Sequence, residues 1–222
     1  MGYKTQLVLM NDFDGNVLNT MEAHGRLAAD CMNQCFGMPK DEAEEKYHAT
    51  TGISFDKQLG SIFQGYEKRF RDACAAEYHR RKIREVYKAA ELFPEIKEIL
   101  PELKRYGFPI LINTGTETDV TSALLKRHGI LTHFDAVWGT EYGVKSDHIK
   151  RADELWVPRR IVFTGDSGKD VELSKIDEDK IITVGRTGKG KGMLSEAELR
   201  SAGATHVITS FEELPAIIKL YS

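Results

Sequence analysis

Six short apolar runs, at 6–10, 109–113, 136–138, 160–164, 181–184 and 206–208, are spaced among amphipathic stretches, and the first is cut off from the rest by a long block without a strand. Runs this short that stay apolar instead of alternating are buried on both faces, as in a parallel sheet covered by helices. The stretches near 95–106, 117–128, 147–155, 169–175, 195–201 and 211–220 supply the covering helices. The expected fold class is therefore α/β, a doubly wound, Rossmann-like parallel sheet. Pro101 inside the 95–106 pattern should kink that helix or split it.

The intervening block, roughly 19–92, reads as helical throughout. Asn19 and Glu22 have capping-box spacing, and the stripe Leu27, Cys31, Cys35 ends at Gly37. Asp41 with Glu44 opens a second helix, Ser54 caps a third, and a long amphipathic pattern covers 66–90. The economical organisation is a core formed by 1–15 and 91–222, with an all-helical domain at 16–90 inserted behind the first strand.

Charge removes some functions. With 31 basic against 34 acidic side chains, the net charge of −3 offers no bulk field for nucleic acid or a membrane surface. No apolar run approaches a spanning helix. The N-terminal stretch through Asn11 and Asp12 lacks a secretory pattern. Three cysteines cannot all pair, and Cys31 and Cys35 are expected to pack as small hydrophobes on a helix. The expectation is a reduced, cytoplasmic protein, with monomer and homodimer both open.

In an open parallel sheet, ligands bind outside the carboxyl ends of the strands. The first strand delivers Asp12 and Asp14 to that edge, around Phe13 and before Gly15. The others deliver Thr114-Gly115-Thr116, then Gly143-Val144-Lys145, then Gly165-Asp166-Ser167-Gly168-Lys169-Asp170. Each has a plainer reading: an acidic turn for Asp12 and Asp14, a helix cap for Thr114, a surface lysine for Lys145, a first-turn acid for Asp170. Together they suit phosphoryl transfer through an enzyme carboxylate. One aspartate attacks phosphorus, and a hard divalent cation held by carboxylates offsets the repulsion between two anions. A lysine, a hydroxyl and helix N-terminal N–H groups hold the phosphoryl oxygens, and a second acid serves the leaving oxygen.

In order and spacing, Asp12-Phe13-Asp14-Gly15, Thr114-Gly115, Lys145 and Gly165-Asp166-Ser167-Gly168-Lys169-Asp170 resemble the four motifs of the haloacid dehalogenase-like superfamily. Leu92-Phe93-Pro94-Glu95-Ile96, and Ala202-Gly203-Ala204 leading to Phe211-Glu212-Glu213-Leu214, resemble its phosphoglycolate phosphatase and β-phosphoglucomutase branch. The resemblance implies Asp12 as nucleophile and Asp14 as general acid and base. It implies magnesium (Mg2+) on Asp12, the Asp14 carbonyl and Asp166, with Asp170 supporting the metal or Lys145. Thr114, Gly115 and Lys145 would hold the phosphoryl group of a small phosphorylated metabolite, and 16–90 would be a cap closing over the site. The second aspartate favours a phosphatase or a phosphomutase over a dehalogenase, because an alkoxide leaving group needs a proton. The chain departs from the family at Asn11, Asn16 and Asn19, and Ser146 follows Lys145 where proline is usual, so Lys150 competes for the lysine role.

His24, just past the first motif, and Thr51 are the candidate substrate contacts of the helical block, alongside Arg26, Thr50, Lys57 and Gln58. Residues 185–192 nearly spell a nucleotide-binding P-loop, but Gly192 stands where a metal-holding Ser or Thr belongs, and a basic, mobile surface loop is the better reading. A phosphomutase, a phospho-acceptor signalling domain and a P-loop nucleotide binder are the alternatives to a phosphatase.

Overall fold

A computed structural model describes residues 5–221. The chain forms two compact units. One comprises the chain up to Leu18, Leu92–Gly188 and Leu194 onward; the other comprises Asn19–Glu91 and Lys189–Met193.

The first unit carries the sheet. Its strands are β1 (Leu7–Asn11), β2 (Ile110–Asn113), β3 (Ala136–Trp138), β4 (Arg160–Gly165), β5 (Ile181–Arg186) and β6 (His206–Ile208). They pair in parallel throughout, in the order β3-β2-β1-β4-β5-β6. This is the doubly wound order, whose switch point lies between β1 and β4. In β1, β2 and β5 every residue is buried, which is why these runs lack polar alternation. On one face Val8, Met10, Leu111, Ile161, Phe163 and Ile181 pack with Trp138, Ile149 and Ala152.

Helices α5 (Ile96–Arg105), α6 (Thr118–Arg127), α7 (Lys145–Trp156), α8 (Gly168–Val171), α9 (Glu196–Ala202) and α10 (Leu214–Ile218) belong to this unit, numbered after four in the other. Pro101 neither splits nor ends α5, which runs on as one helix with Ile96, Leu100 and Leu103 buried. The donor that proline removes would have served the carbonyl of Lys97, an exposed residue. The expected helix at 169–175 is only four α-helical residues followed by a 3-10 segment, Glu172–Ile176.

The second unit contains α1 (Met21–Phe36), α2 (Lys40–Ala49), α3 (Phe55–Ile62) and α4 (Lys68–Arg81), the last running into a π-helical segment, Lys82–Tyr87. Gly37 ends α1 in the left-handed conformation, φ 72°. The expected caps at Asn19 and Ser54 differ: α1 starts after Thr20, and Ser54 makes no side-chain capping bond. Cys31 and Cys74 are buried, but Cys35 is exposed, because the buried stripe turns away before the end of α1.

Residues 185–192 are not one surface loop. Gly185 and Arg186 complete β5 and are buried, whereas Lys189–Met193 groups with the helical unit. There Lys191 Nζ lies 2.9 Å from Glu44 Oε2, and Gly192, at φ 88°, packs so closely on His48 that a Cβ would stand 2.5 Å from the ring. No helix opens on Lys191; α9 starts only after Ser195, so the P-loop geometry is absent.

Candidate active site

β1 and β4 end side by side, with Asn11 opposite Thr164, so Asp12 and Asp166 emerge at the switch point. The Asp12 N–H donates to the Thr164 carbonyl at 2.8 Å, and the Asp12 carbonyl accepts from Asn16 Nδ2 at 3.1 Å. Gly15, at φ 72°, lets the chain turn back so that its N–H reaches the Leu18 carbonyl. Phe13 points into the core, fully buried, while Asp14 is only half-buried.

Two of the three asparagines that depart from the family pattern, Asn11 and Asn16, belong to one buried chain of bonds. Asn11 Nδ2 donates to the Leu111 carbonyl at 3.0 Å, and Thr164 Oγ1 donates to Asn11 Oδ1 at 2.9 Å. Asn16 Nδ2 donates in turn to Thr164 Oγ1 at 2.7 Å. These bonds tie β2, β1, β4 and the turn after Asp12 together, and leave Asn16 Oδ1 as the one buried side-chain atom of the three residues without a partner.

Lysine and acids meet directly. Lys145, the first residue of α7, places Nζ 2.8 Å from Asp12 Oδ1 and 2.5 Å from Asp170 Oδ1. Lys150 instead pairs with Asp147 on the exposed side of α7, at 3.6 Å. Of the two candidate lysines, it is Lys145 whose Nζ stands against Asp12. Asp170 is fully buried, and its Oδ2 accepts from Ser167 N–H at 3.2 Å and Ser167 Oγ at 2.6 Å. Both its oxygens are engaged, so it braces Lys145 and the start of α8. The Gly165 backbone runs against it so tightly that a Cβ would stand 2.4 Å from the Asp170 Cβ.

Thr114 is buried at the end of β2, with its N–H on the Trp138 carbonyl and its Oγ1 accepting from the Thr116 N–H at 3.1 Å. It is not the cap of α6, whose N-cap is Glu117, three residues later. Gly115 is exposed in the same turn, with open space where a side chain would stand.

Burial pushes the Asp12 carboxyl up to about 7, the Lys145 charge only partly opposing it and Asp170 adding to it. Burial, then the charges of Asp12 and Asp170, hold Asp166 well above the usual carboxylate range. Burial alone would lower the Lys145 ammonium; Asp12 and Asp170 more than reverse this and hold it above its ordinary value. Carboxylate oxygens of Asp12, Asp166 and Asp170 lie within 4.8 Å of one another. Asp166 Oδ2 is buried without a hydrogen-bond partner. Three carboxylates against one lysine, with one oxygen unsatisfied, are a donor set that fits a hard divalent cation.

Residues of the helical unit are placed differently. His24 is buried, with Nδ1 2.9 Å from Tyr78 Oη and its ring edge-on to Tyr87. Thr51 Oγ1 donates to the His48 carbonyl at 2.9 Å, closing the end of α2.

Arg186 was legible only as part of a basic tract. It is 2% exposed; its guanidinium lies 3.5 Å from the Phe93 ring centroid, pairs with Glu95 Oε1 at 2.7 Å and donates to the Asn16 carbonyl at 3.2 Å. Its partner lies 91 residues away, and no local pattern marks the pair.

The fold and the strand-end residues define a doubly wound α/β protein with a lysine-braced acid cluster at its switch point. A model of the haloacid dehalogenase-like hydrolase family matches residues 9–184, and the chain belongs to that family. Among solved structures, a protein described as a predicted phosphatase from Clostridium acetobutylicum shares the fold at a TM-score of 0.79, with 19% identity over 99% of this chain and 100% of its own. A predicted phosphoglycolate phosphatase from Haemophilus somnus aligns at 0.74, with 15% identity over 95% of this chain and 97% of its own. A hydrolase of the same family from Deinococcus radiodurans, solved with bound phosphate and sodium, aligns at 0.68, with 18% identity over 96% and 95%. Identities this low establish the shared fold alone. No curated protein matches.

Proposed function

We propose that this chain is a magnesium-dependent phosphatase acting on a small phosphorylated metabolite through an aspartyl-phosphate. The observation that carries the reading is the Asp12 carboxylate, held against Lys145 at 2.8 Å inside a cluster with Asp166 and Asp170. Family membership supports hydrolysis, and two structures that share the fold, both described as predicted phosphatases, are consistent with it.

In this reading an Asp12 oxygen attacks phosphorus, forming the acyl-phosphate bond as the bond to the leaving oxygen breaks. Asp14, two residues on and less buried, delivers a proton to that oxygen. It then takes a proton from the water that attacks phosphorus, releasing inorganic phosphate and restoring the Asp12 carboxylate. Lys145, the Thr114 hydroxyl and the N–H of Gly115 bind the phosphoryl oxygens, and Asp170 keeps Lys145 in place. Magnesium, held by Asp12, Asp166 and the Asp14 carbonyl, would supply charge neutralisation between carboxylate and phosphate. The helical unit is assigned the role of a cap that selects the leaving group.

The test is a panel of phosphorylated metabolites, with magnesium and with a chelator. Phosphate release that stops with chelator and with Asp12→Asn, in a variant that still folds, is the expected result. No release from any member, or turnover retained by Asp12→Asn, overturns the reading.

A further inference from the structure

Lys145 can serve a phosphoryl group only if the start of α7 is held at a fixed distance from β2, whose end carries Thr114. Two fully buried polar side chains lie between these elements. Asn113 is the last residue of β2 and His148 lies in the first turn of α7, both at 0% exposure. Asn113 Nδ2 donates to the backbone carbonyl of Lys145 at 3.4 Å, and Asn113 Oδ1 lies 2.8 Å from His148 Nδ1.

The direction of this relay follows from what each atom can do. A backbone carbonyl only accepts, so Asn113 must turn its amide nitrogen to Lys145 and its oxygen to His148. His148 must then donate from Nδ1. The flipped amide would set two acceptors face to face at Lys145. Burial lowers the imidazolium of His148, with a backbone contact at Gly139 opposing it. An apolar pair would fill the same space without the cost of desolvating an amide and an imidazole. What the polar pair adds is a directional link from the strand end, one residue before Thr114, to the backbone of Lys145. The backbone reinforces the same junction: Thr114 N–H donates to the Trp138 carbonyl, and a Cβ on Gly139 would stand 2.3 Å from the Thr116 carbonyl oxygen.

We infer that Asn113 and His148 form a positioning pair that sets Lys145 relative to Thr114 and so places the phosphoryl-binding groups for the reaction. This rests on the assignment of Lys145 and Thr114 to the phosphoryl group. Neither residue touches the reacting atoms.

The test compares His148→Leu, which fills the space without a donor, with His148→Asn, whose amide nitrogen can take the place of Nδ1. Steady-state turnover of p-nitrophenyl phosphate, inhibition by orthovanadate and thermal unfolding are measured for each. His148→Leu should lower kcat by about tenfold to a hundredfold and weaken vanadate inhibition, as expected when a binding group shifts by a fraction of an ångström. His148→Asn should recover most of both. Ile149→Val, a neighbouring core change, should lower stability and leave both unchanged. If His148→Leu does not fold, Asn113→Asp carries the test: it still accepts from His148 but turns an oxygen to the Lys145 carbonyl, and the same losses are expected. Wild-type kcat and vanadate inhibition in His148→Leu or Asn113→Asp, or equal losses in His148→Asn and His148→Leu, overturn the pairing while the phosphatase reading stands. Wild-type protein that neither turns over nor binds vanadate overturns both.

Discussion

Replacing Asp12 by asparagine tests the charge balance of the site without asking it to turn over. The Asp12 carboxyl is raised from its ordinary 3.8 to about 7 by burial, against the pull of Lys145. The unfolded chain therefore gives up this proton near pH 4, and the native chain holds it until about pH 7. Between those values Asp12 holds more proton in the native state than in the unfolded chain, so its own contribution to stability falls as pH rises, by about 1.4 kcal/mol per pH unit and about 4 kcal/mol over the window. Asp166 is also raised, by burial and then by Asp12, and adds in the same direction. The assay is urea unfolding followed by circular dichroism, in chelator, from about pH 4 to about pH 8. His48, His148 and His206 are lowered by burial and act in the opposite sense, so Asp12 is read from the difference between wild type and variant, which should change by several kcal/mol across that range. Asp12→Asn should be much flatter and, above about pH 7, the more stable protein, although it exchanges an ion pair with Lys145 for a neutral contact. Magnesium should restore wild type at the alkaline end and do little for the variant. A pH slope unchanged by Asp12→Asn would overturn this account of Asp12.

Three further outcomes follow from particular contacts. Glu95→Ala strands the buried Arg186 guanidinium and should cost about 3–5 kcal/mol, whereas Glu95→Leu with Arg186→Met should recover most of it; chemical denaturation of single and double variants decides. Gly165→Ala forces a Cβ against Asp170, so Asp170 must shift and release Lys145; kcat/KM should fall by about tenfold to a hundredfold, and an unchanged value would show that Asp170 does not brace the lysine. Asp14→Asn should slow hydrolysis of alkyl phosphates by about 10²–10⁴-fold and p-nitrophenyl phosphate far less, since that leaving group departs without a proton; equal losses on both would remove Asp14 as the acid.

Much of the fold could be read because its signals are local. Each strand is a contiguous apolar run, and each strand-end group, Asp12, Asp14, Thr114, Lys145, Asp166 and Asp170, lies within a few residues of one. Parallel order follows from alternation with helices, and once strands are parallel their carboxyl ends share one edge. That geometry, more than any single motif, gathers the acids. Pro101 shows where a local rule overreaches: a missing donor matters little when the carbonyl it leaves free belongs to an exposed residue.

Other features depended on partners far apart in the chain. Thr164 meets Asn11 across 153 residues and Asn16 across 148, and His148 meets Asn113 across 35. As single letters, Asn11 and Asn16 are departures from the pattern that the motif resembles, and His148 is one histidine among seven. Only the register of β1 against β4, and the closeness of α7 to β2, turns them into bonded sets. Residues 189–192 likewise read as part of a basic loop but pack with the helical unit through Lys191 and Gly192. The sequence alone determined the α/β alternation, the polar groups at the strand ends and the second carboxylate. Tertiary structure decided which lysine reaches Asp12, how Asp170 is engaged, and which buried polar groups hold them there. The physical reason is that hydrophobic periodicity is written along the chain, whereas a satisfied buried polar group is defined by a partner that folding brings to it.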